Sequence, residues 1–125
     1  VKPAQLQTLC DEWSQALGLG SWSIHARFTS HPPEADRGCA LTEYSTTTRD
    51  AEITVLRFKY RDRKQLLTRS DYEVDLVHEL LHLHTDLWVN LKPGSVRWIK
   101  REQFIESTAR ALVDMKRRAA GKCAA

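Results

Sequence analysis

Cysteine is scarce in this chain and poorly spaced for its usual structural roles. Cys10, Cys39 and Cys123 are odd in number, far apart and without a CxxC pair. That excludes a disulfide framework and a cysteine-based metal site, and it points to free thiols in a reducing compartment, a cytoplasm. Long hydrophobic runs are also missing. None approaches the roughly 18 apolar residues that a bilayer-spanning helix needs, and Val1 to Leu9 carries Lys, Pro and Gln where a signal peptide needs an apolar stretch. No membrane partner is expected. Glycine (5) and proline (4) are few and fall at discrete places, and there is neither an internal repeat nor a low-complexity tract. Solenoids, linkers and collagen-like structure are thereby excluded. A large charge of one sign is lacking as well: 19 Lys plus Arg against 16 Asp plus Glu gives +3, too little to imply a nucleic-acid partner.

What remains is a chain of 125 residues, 42% hydrophobic and 28% charged, which can bury one core inside a solvated shell and is expected to form a single domain over residues 1–125. Charge is unevenly distributed. Arg57 to Arg69 contains six basic residues and only Asp62 as an acid, whereas Asp71 to Asp86 contains five acids and no Lys or Arg. The basic run reads as a solvated loop; apart from Phe58 and Tyr60 it lacks the interleaved aromatics of a single-strand binder.

Periodicity predicts the elements. Leu6, Leu9, Cys10, Trp13, Ala16 and Leu17 recur at three- and four-residue intervals, an amphipathic helix over about Pro3 to Leu17 that the Gly18 to Gly20 turn ends. Trp22, Ile24, Ala26 and Phe28 alternate with polar residues, the signature of a strand with one buried face. Ser30 to Gly38 reads as a loop. Gly38 to Tyr44 and Ala51 to Phe58 are two more strands joined by the polar Ser45 to Asp50 turn. Ser70 with Glu73 forms a capping box that opens a helix running to about Trp88, which Asn90, Pro93 and Gly94 stop. Ser95 then caps a last helix carrying Trp98, Ile99, Ile105, Ala109, Leu112, Val113 and Met115, and the basic tail at about residues 116–125 is expected to fray. The class is α+β: a helix, a small antiparallel or mixed sheet of three strands, and two helices.

Within the third region stands His78-Glu79-Leu80-Leu81-His82, an HExxH on a helix. Residues four apart share a helix face with Cβ atoms about 5 to 6 Å apart, so both imidazoles can reach one tetrahedral Zn2+. Zinc brings the pKa of a coordinated water towards about 7, and Glu79 can accept its proton and pass it to a leaving amine. The bland alternative is a helix with two surface histidines and a salt-bridging Glu. The flanking Leu76, Val77, Leu80, Leu81 and Leu83 weigh against it, because polar groups on a buried helix need partners. A catalytic zinc wants a third protein ligand and an open position. Leu83 to Trp88 has neither Gly nor His where HExxHxxGxxH would need them, which leaves an acid from the last helix. Nineteen residues separate His82 from Glu102, and Glu106 follows one turn later on the same face. Glu102, nearer the helix start, is the preferred ligand, and Glu106 is assigned to an imidazole N–H or the cleft wall.

His78, Glu79, His82 and Glu102, with that interval, resemble the gluzincins, zinc peptidases that take two His ligands from HExxH and a Glu from a later helix, as thermolysin does. The segment from Glu102 to Val113 is also similar to the ExxAN..FA..LL helix of ImmA/IrrE-type phage and prophage metallopeptidases, and the order of elements is similar to minimal phage-encoded zincins. The resemblance implies a zincin-like minimal domain with a small twisted sheet backed by the HExxH helix and the Glu102 helix, and a zinc ion between the two. It implies a zinc-dependent endopeptidase, possible phage or prophage origin, and a peptide or protein substrate that pairs with an edge strand, here assigned to Ala51 to Leu56. The rival is a zinc-stabilised phage or regulatory protein-binding module that keeps the ligands without catalysis. The large C-terminal subdomain of thermolysin-like enzymes has no counterpart after Val113, so an oxyanion donor must come from elsewhere; Tyr44, Tyr60, Tyr72 and His84 are the polar candidates.

Other residues read more plainly. His84 points about 160° away from His82 around the helix and reads as a rim histidine. His25 and His31 read as solvated. Asp75 and Asp86 are close enough along the helix to hold an imidazole N–H, with surface solvation an equal alternative. Trp13, Trp22, Trp88 and Trp98 are assigned to packing, with Trp88 or Trp98 also able to wall a cleft.

Overall fold

The structure is a computed structural model and describes residues 1–32, 38–67, 71–86 and 91–124. Arg69, Ser70, Trp88, Asn90 and part of the Ser30 to Gly38 loop lie outside the described residues. The fold is α+β, with four helices and one three-stranded mixed sheet among those residues.

Helix α1, Pro3–Ala16, has Pro at its start, where the missing N–H costs nothing. It buries Leu6, Cys10 and Trp13 on one face. Gly18, with φ 73°, turns the chain out of the helix while its N–H reaches Gln15 O, a conformation that a Cβ would strain. Strands β1 (Ser23–Thr29), β2 (Ala40–Ser45) and β3 (Asp50–Leu56) form a sheet in the order β1-β3-β2. β1 runs parallel to β3, and β2 is antiparallel to it with Thr42 opposite Ile53.

The strand expected at the edge is therefore the central one. β3 lies between the other two strands, and its Ala51, Ile53, Val55 and Leu56 are all buried. The free edge that borders the site belongs to β2. The basic run likewise departs from a solvated loop: it forms a 3₁₀ turn, Phe58–Tyr60, and a short helix α2, Arg63–Leu67. Asp62 and Gln65 bond each other's backbone N–H groups reciprocally at the start of α2. Arg61 is buried, its Nε donating to Leu56 O and an Nη to Asp75 at 2.7 Å.

Helix α3, Tyr72–Thr85, is capped by Asp71, whose carboxylate accepts from Glu73 N–H and Val74 N–H. Its buried face is Val74, Leu76, Val77, Leu80 and Leu83. Helix α4, Val96–Ala124, starts as its sequence indicates, with Ser95 Oγ accepting from Trp98 N–H. It presents Ile105, Ala109 and Val113 to the core, whereas Ile99 and Met115 are exposed. α4 runs on through the basic residues from 116 to Ala124. The helix continues because Lys116 and Arg117 find carboxylates at the start of α3: Lys116 Nζ lies 2.5 Å from Glu73 and Arg117 bonds both Asp71 and Glu73. One hydrophobic cluster draws from α1, β1, β3, α3 and α4. This packing holds the polar face of α3 against α4 and β2.

Candidate metal centre

Two imidazoles on successive turns of α3 open the site: the His78 and His82 rings lie 5.1 Å apart, centroid to centroid. Each presents Nε2 towards α4. Glu102 meets both, with one carboxylate oxygen 3.1 Å from His78 Nε2 and the other 3.2 Å from His82 Nε2. The opposite ring nitrogens are engaged separately: His78 Nδ1 lies 3.0 Å from Glu106 and His82 Nδ1 lies 3.0 Å from Asp86. Each ring is thus oriented by one carboxylate at Nδ1 while its Nε2 faces a shared position, the arrangement by which outer carboxylates set the tautomer and direction of a ligating histidine.

Glu79 is buried beside the pair. Its carboxylate accepts from Thr42 Oγ1 at 2.9 Å, and the same hydroxyl lies 3.2 Å from Glu79 O. Its other oxygen is 4.0 Å from His78 Nε2. One donor atom each from His78, Glu79 and His82 lie within 4.8 Å of one another, so this group could hold a metal ion. Glu102 approaches the two imidazoles more closely than Glu79 does.

The groups perturb one another strongly. Burial opposes the cationic form of His78, but its hydrogen bonds to Glu102 and Glu106 and the charge of Glu79 outweigh this and push its pKa up to about 10. His82 is pushed up to about 9, with burial again overcome by Asp86 and Glu102. Burial would raise Glu102, yet the two imidazoles hold it down at about 2. Burial raises Glu79 against the pull of His78, His82 and Thr42. Ordinary imidazoles titrate near 6.5, so without metal each ring of this pair holds one proton more than its neutral form at neutral pH.

The site opens into a cleft of about 720 Å³ between β2, α3 and α4, walled in part by Leu41, Thr42, Trp98 and Arg101. Asp75, Glu79, Asp86, Glu102 and Glu106 line it against Arg61, Arg101 and Arg110. Five carboxylates face three guanidiniums and the two imidazoles, so a dication could take the place of the two extra imidazole protons without changing the balance of charge. The donor set of imidazole nitrogens and a carboxylate suits a divalent transition metal in four-coordinate geometry.

Other residues singled out in the sequence fall in different places. Asp86 holds an imidazole, whereas Asp75 instead pairs with Arg61. Trp98 borders the cleft, while Trp13 and Trp22 belong to or pack against the core. None of the four polar candidates for oxyanion stabilisation is among the described residues lining the cleft. Tyr72 accepts from Phe58 N–H through its hydroxyl, His84 bonds Leu17 O, and Tyr60 borders a different concavity. Tyr44 sits edge-on to Trp22. The sequence reading missed Thr42, 37 residues from its partner, and the guanidiniums of Arg101, 3.4 Å from Asp86, and Arg110, 2.9 Å from Glu106. Only Arg110 carried a local signal, its i, i+4 spacing from Glu106. No protein-family model, curated protein or solved structure matches this chain.

Proposed function

We propose that this protein is a zinc-dependent endopeptidase of the gluzincin type, with His78, His82 and Glu102 as the metal ligands. The observation that carries the reading is the convergence of both Nε2 atoms on Glu102 while Glu106 and Asp86 hold both Nδ1 atoms. Zinc bound there would supply Lewis-acid polarisation of a scissile carbonyl and acidification of the attacking water.

The chain's own residues do the rest. Glu79, oriented by Thr42, takes up the proton released on attack and delivers it to the leaving amine; it is the base and not a ligand. The burial that raises its pKa brings it nearer to the working range of a general base. Glu106 and Asp86 keep the rings turned towards the metal, and Arg110 and Arg101 in turn hold those carboxylates. The free edge of β2 runs along the cleft, so an extended peptide adds to that edge through main-chain hydrogen bonds. A zincin-like fold, a phage or prophage origin and a cytoplasmic location belong to the same reading; no helix among the described residues is long and apolar enough to cross a membrane.

A zinc-stabilised protein-binding module is the second reading, favoured because none of Tyr44, Tyr60, Tyr72 and His84 is among the described residues lining the cleft. Incubation of the metal-loaded protein with a peptide library, with and without chelator and beside Glu79→Gln, separates the two. Chelator-sensitive cleavage lost in Glu79→Gln supports the peptidase. Zinc binding without any cleavage supports the module.

A further inference from the structure

A second concavity, of about 370 Å³, lies beside β1, away from the cleft that borders β2. Its described lining includes His25, Arg27 and Arg57 and no carboxylate. Glu52 takes the Nε of Arg27 at 2.8 Å. Arg57 has no carboxylate partner among the described residues; its guanidinium carbon sits over the Phe28 ring, 4.2 Å from the centroid, and its N–H groups can meet an anion. Tyr60, 45% exposed, offers a ring to the same space, and Lys59 Nζ sits 5.7 Å from that ring's centroid.

The β1 edge narrows the choice of ligand. Gln7 of α1 accepts from Ala26 N–H at 2.8 Å and donates to Ile24 O at 3.0 Å, occupying the ladder positions that an added peptide strand would need. By the period of two, Phe28 N–H points to the same edge, one step beyond the part Gln7 covers. A peptide strand finds too little edge here. A compact anion with a planar body finds a guanidinium, a backbone donor and an aromatic face. The volume lies at the lower end of small-molecule pockets, which run from about 300 to 1,000 Å³.

We propose that this concavity binds a nucleoside monophosphate, with its phosphate on Arg57 and the Phe28 N–H and its base stacked on Tyr60. The two partial ligands, phosphate without base and base without phosphate, each forgo half of the contacts.

The test is a calorimetric titration of the full chain in low salt with adenosine 5′-monophosphate, adenosine and inorganic phosphate. The monophosphate binds, and the other two bind at least about ten-fold more weakly. Arg57→Gln weakens binding by about ten-fold or more, Arg57→Lys weakens it less, and Tyr60→Ala weakens it by about five- to hundred-fold. Circular dichroism checks that each variant is folded. Binding is unchanged in Glu79→Gln and in the presence of chelator, because the cleft is not involved. A 5′-phosphorylated single-stranded oligonucleotide that binds more tightly with the same dependence on Arg57 supports the site and assigns its nucleotide to a strand end. No binding of the monophosphate by the folded protein overturns the proposal. So does binding that survives both Arg57→Gln and Tyr60→Ala, or binding that chelator abolishes.

Discussion

Zinc uptake at this site should be steeply dependent on pH well above the range in which histidine ligands usually impose such dependence. Without metal, the carboxylates around His78 and His82 hold the two imidazoles at pKa values of about 10 and about 9, so both are cationic at pH 7. Zinc requires Nε2 of each ring without a proton, and Glu102, held at about 2, has none to lose. Each ion bound therefore expels two protons, and affinity should rise by about a hundred-fold per pH unit from pH 7 towards pH 8.5. Histidines at their ordinary pKa near 6.5 would be almost fully neutral at pH 8 and would give almost no slope there. The same shifts fix the sign for stability. Because the folded pKa values lie above the unfolded one, the stabilisation of the metal-free protein is complete below about pH 6.5 and is lost as pH rises through 9 to 10. The melting temperature of metal-free protein should fall across that window, while the zinc-loaded protein shows little of the loss. Competition titrations against a chelator of known affinity at half-unit pH steps measure the slope, and calorimetry in buffers of different ionisation enthalpy counts the protons. An affinity that is flat between pH 7 and 8.5 would refute the argument, since it would mean the imidazoles are already neutral and the Glu102 and Glu106 contacts do not hold protons on them.

Substitution of the two α4 acids should separate their roles. Glu106→Ala removes the partner of His78 Nδ1, together with a carboxylate that Arg110 meets, and should weaken zinc by about 10- to 100-fold, whereas Glu102→Ala removes the group facing both Nε2 atoms and should cost more than that range; the reverse order in a zinc titration would make Glu106 the ligand. Glu79→Gln should retain one zinc per chain by metal analysis and lose all hydrolysis; loss of metal instead would show that Glu79 is a ligand. Leu80→Ala, at a fully buried position of α3, should destabilise the fold by about 2 to 5 kcal/mol in denaturant unfolding, and a cost under about 1 kcal/mol would mean that α3 is not packed as described. Chelation of the zinc-loaded protein should lower its melting temperature, as for any ion bound only by the native state, and an unchanged melting curve would speak against metal at this site.

Features that arise within one element were legible in the sequence. The three- and four-residue spacing of Leu6, Cys10 and Trp13, the alternation along β1 and the Ser95 cap each reflect a local periodicity or a single hydrogen bond, and each has its counterpart in the structure. The shared face of Glu102 and Glu106 follows from their spacing alone. Which of them meets Nε2 and which Nδ1 depends on how α3 and α4 pack, and no local pattern contains that. Strand order was illegible for a related reason: alternation reports that one face of a strand is buried, not whether it has one neighbour or two, so the central position of β3 could not be read from its residues. Thr42 carries no signal as a partner of Glu79, because only the β2–β3 pairing brings it alongside α3. The contacts of the C-terminal bases are equally non-local. The basic, Ala-rich stretch resembles a solvated tail until Asp71 and Glu73, more than forty residues earlier, are known to face it.

That last contact bears on the site as a whole. Along the two helices, Glu73 meets Lys116, His78 meets Glu106 and Glu102, His82 meets Glu102, and Asp86 meets Arg101. Partners ascend on α3 as they descend on α4, so the helices run antiparallel and form one polar zipper with the imidazoles in its interior. Ile105, Ala109 and Val113 form the apolar side of the same contact. A slip of α4 by one turn, about 5.4 Å, would bring Glu106 to the place of Glu102 and undo the arrangement at both rings. The apolar side resists such a slip, because Ala109 would leave a cavity in the place of the fully buried Ile105 and Val113 would overpack that of Ala109. The ion pairs at either end add to that resistance. Glu73 is buried and also accepts from Trp13 Nε1 at 2.7 Å, so displacing Lys116 by a turn would leave a desolvated carboxylate short of a partner. The clustered bases beyond Val113 thus act together with the apolar ridge to set the register on which the choice between Glu102 and Glu106 depends.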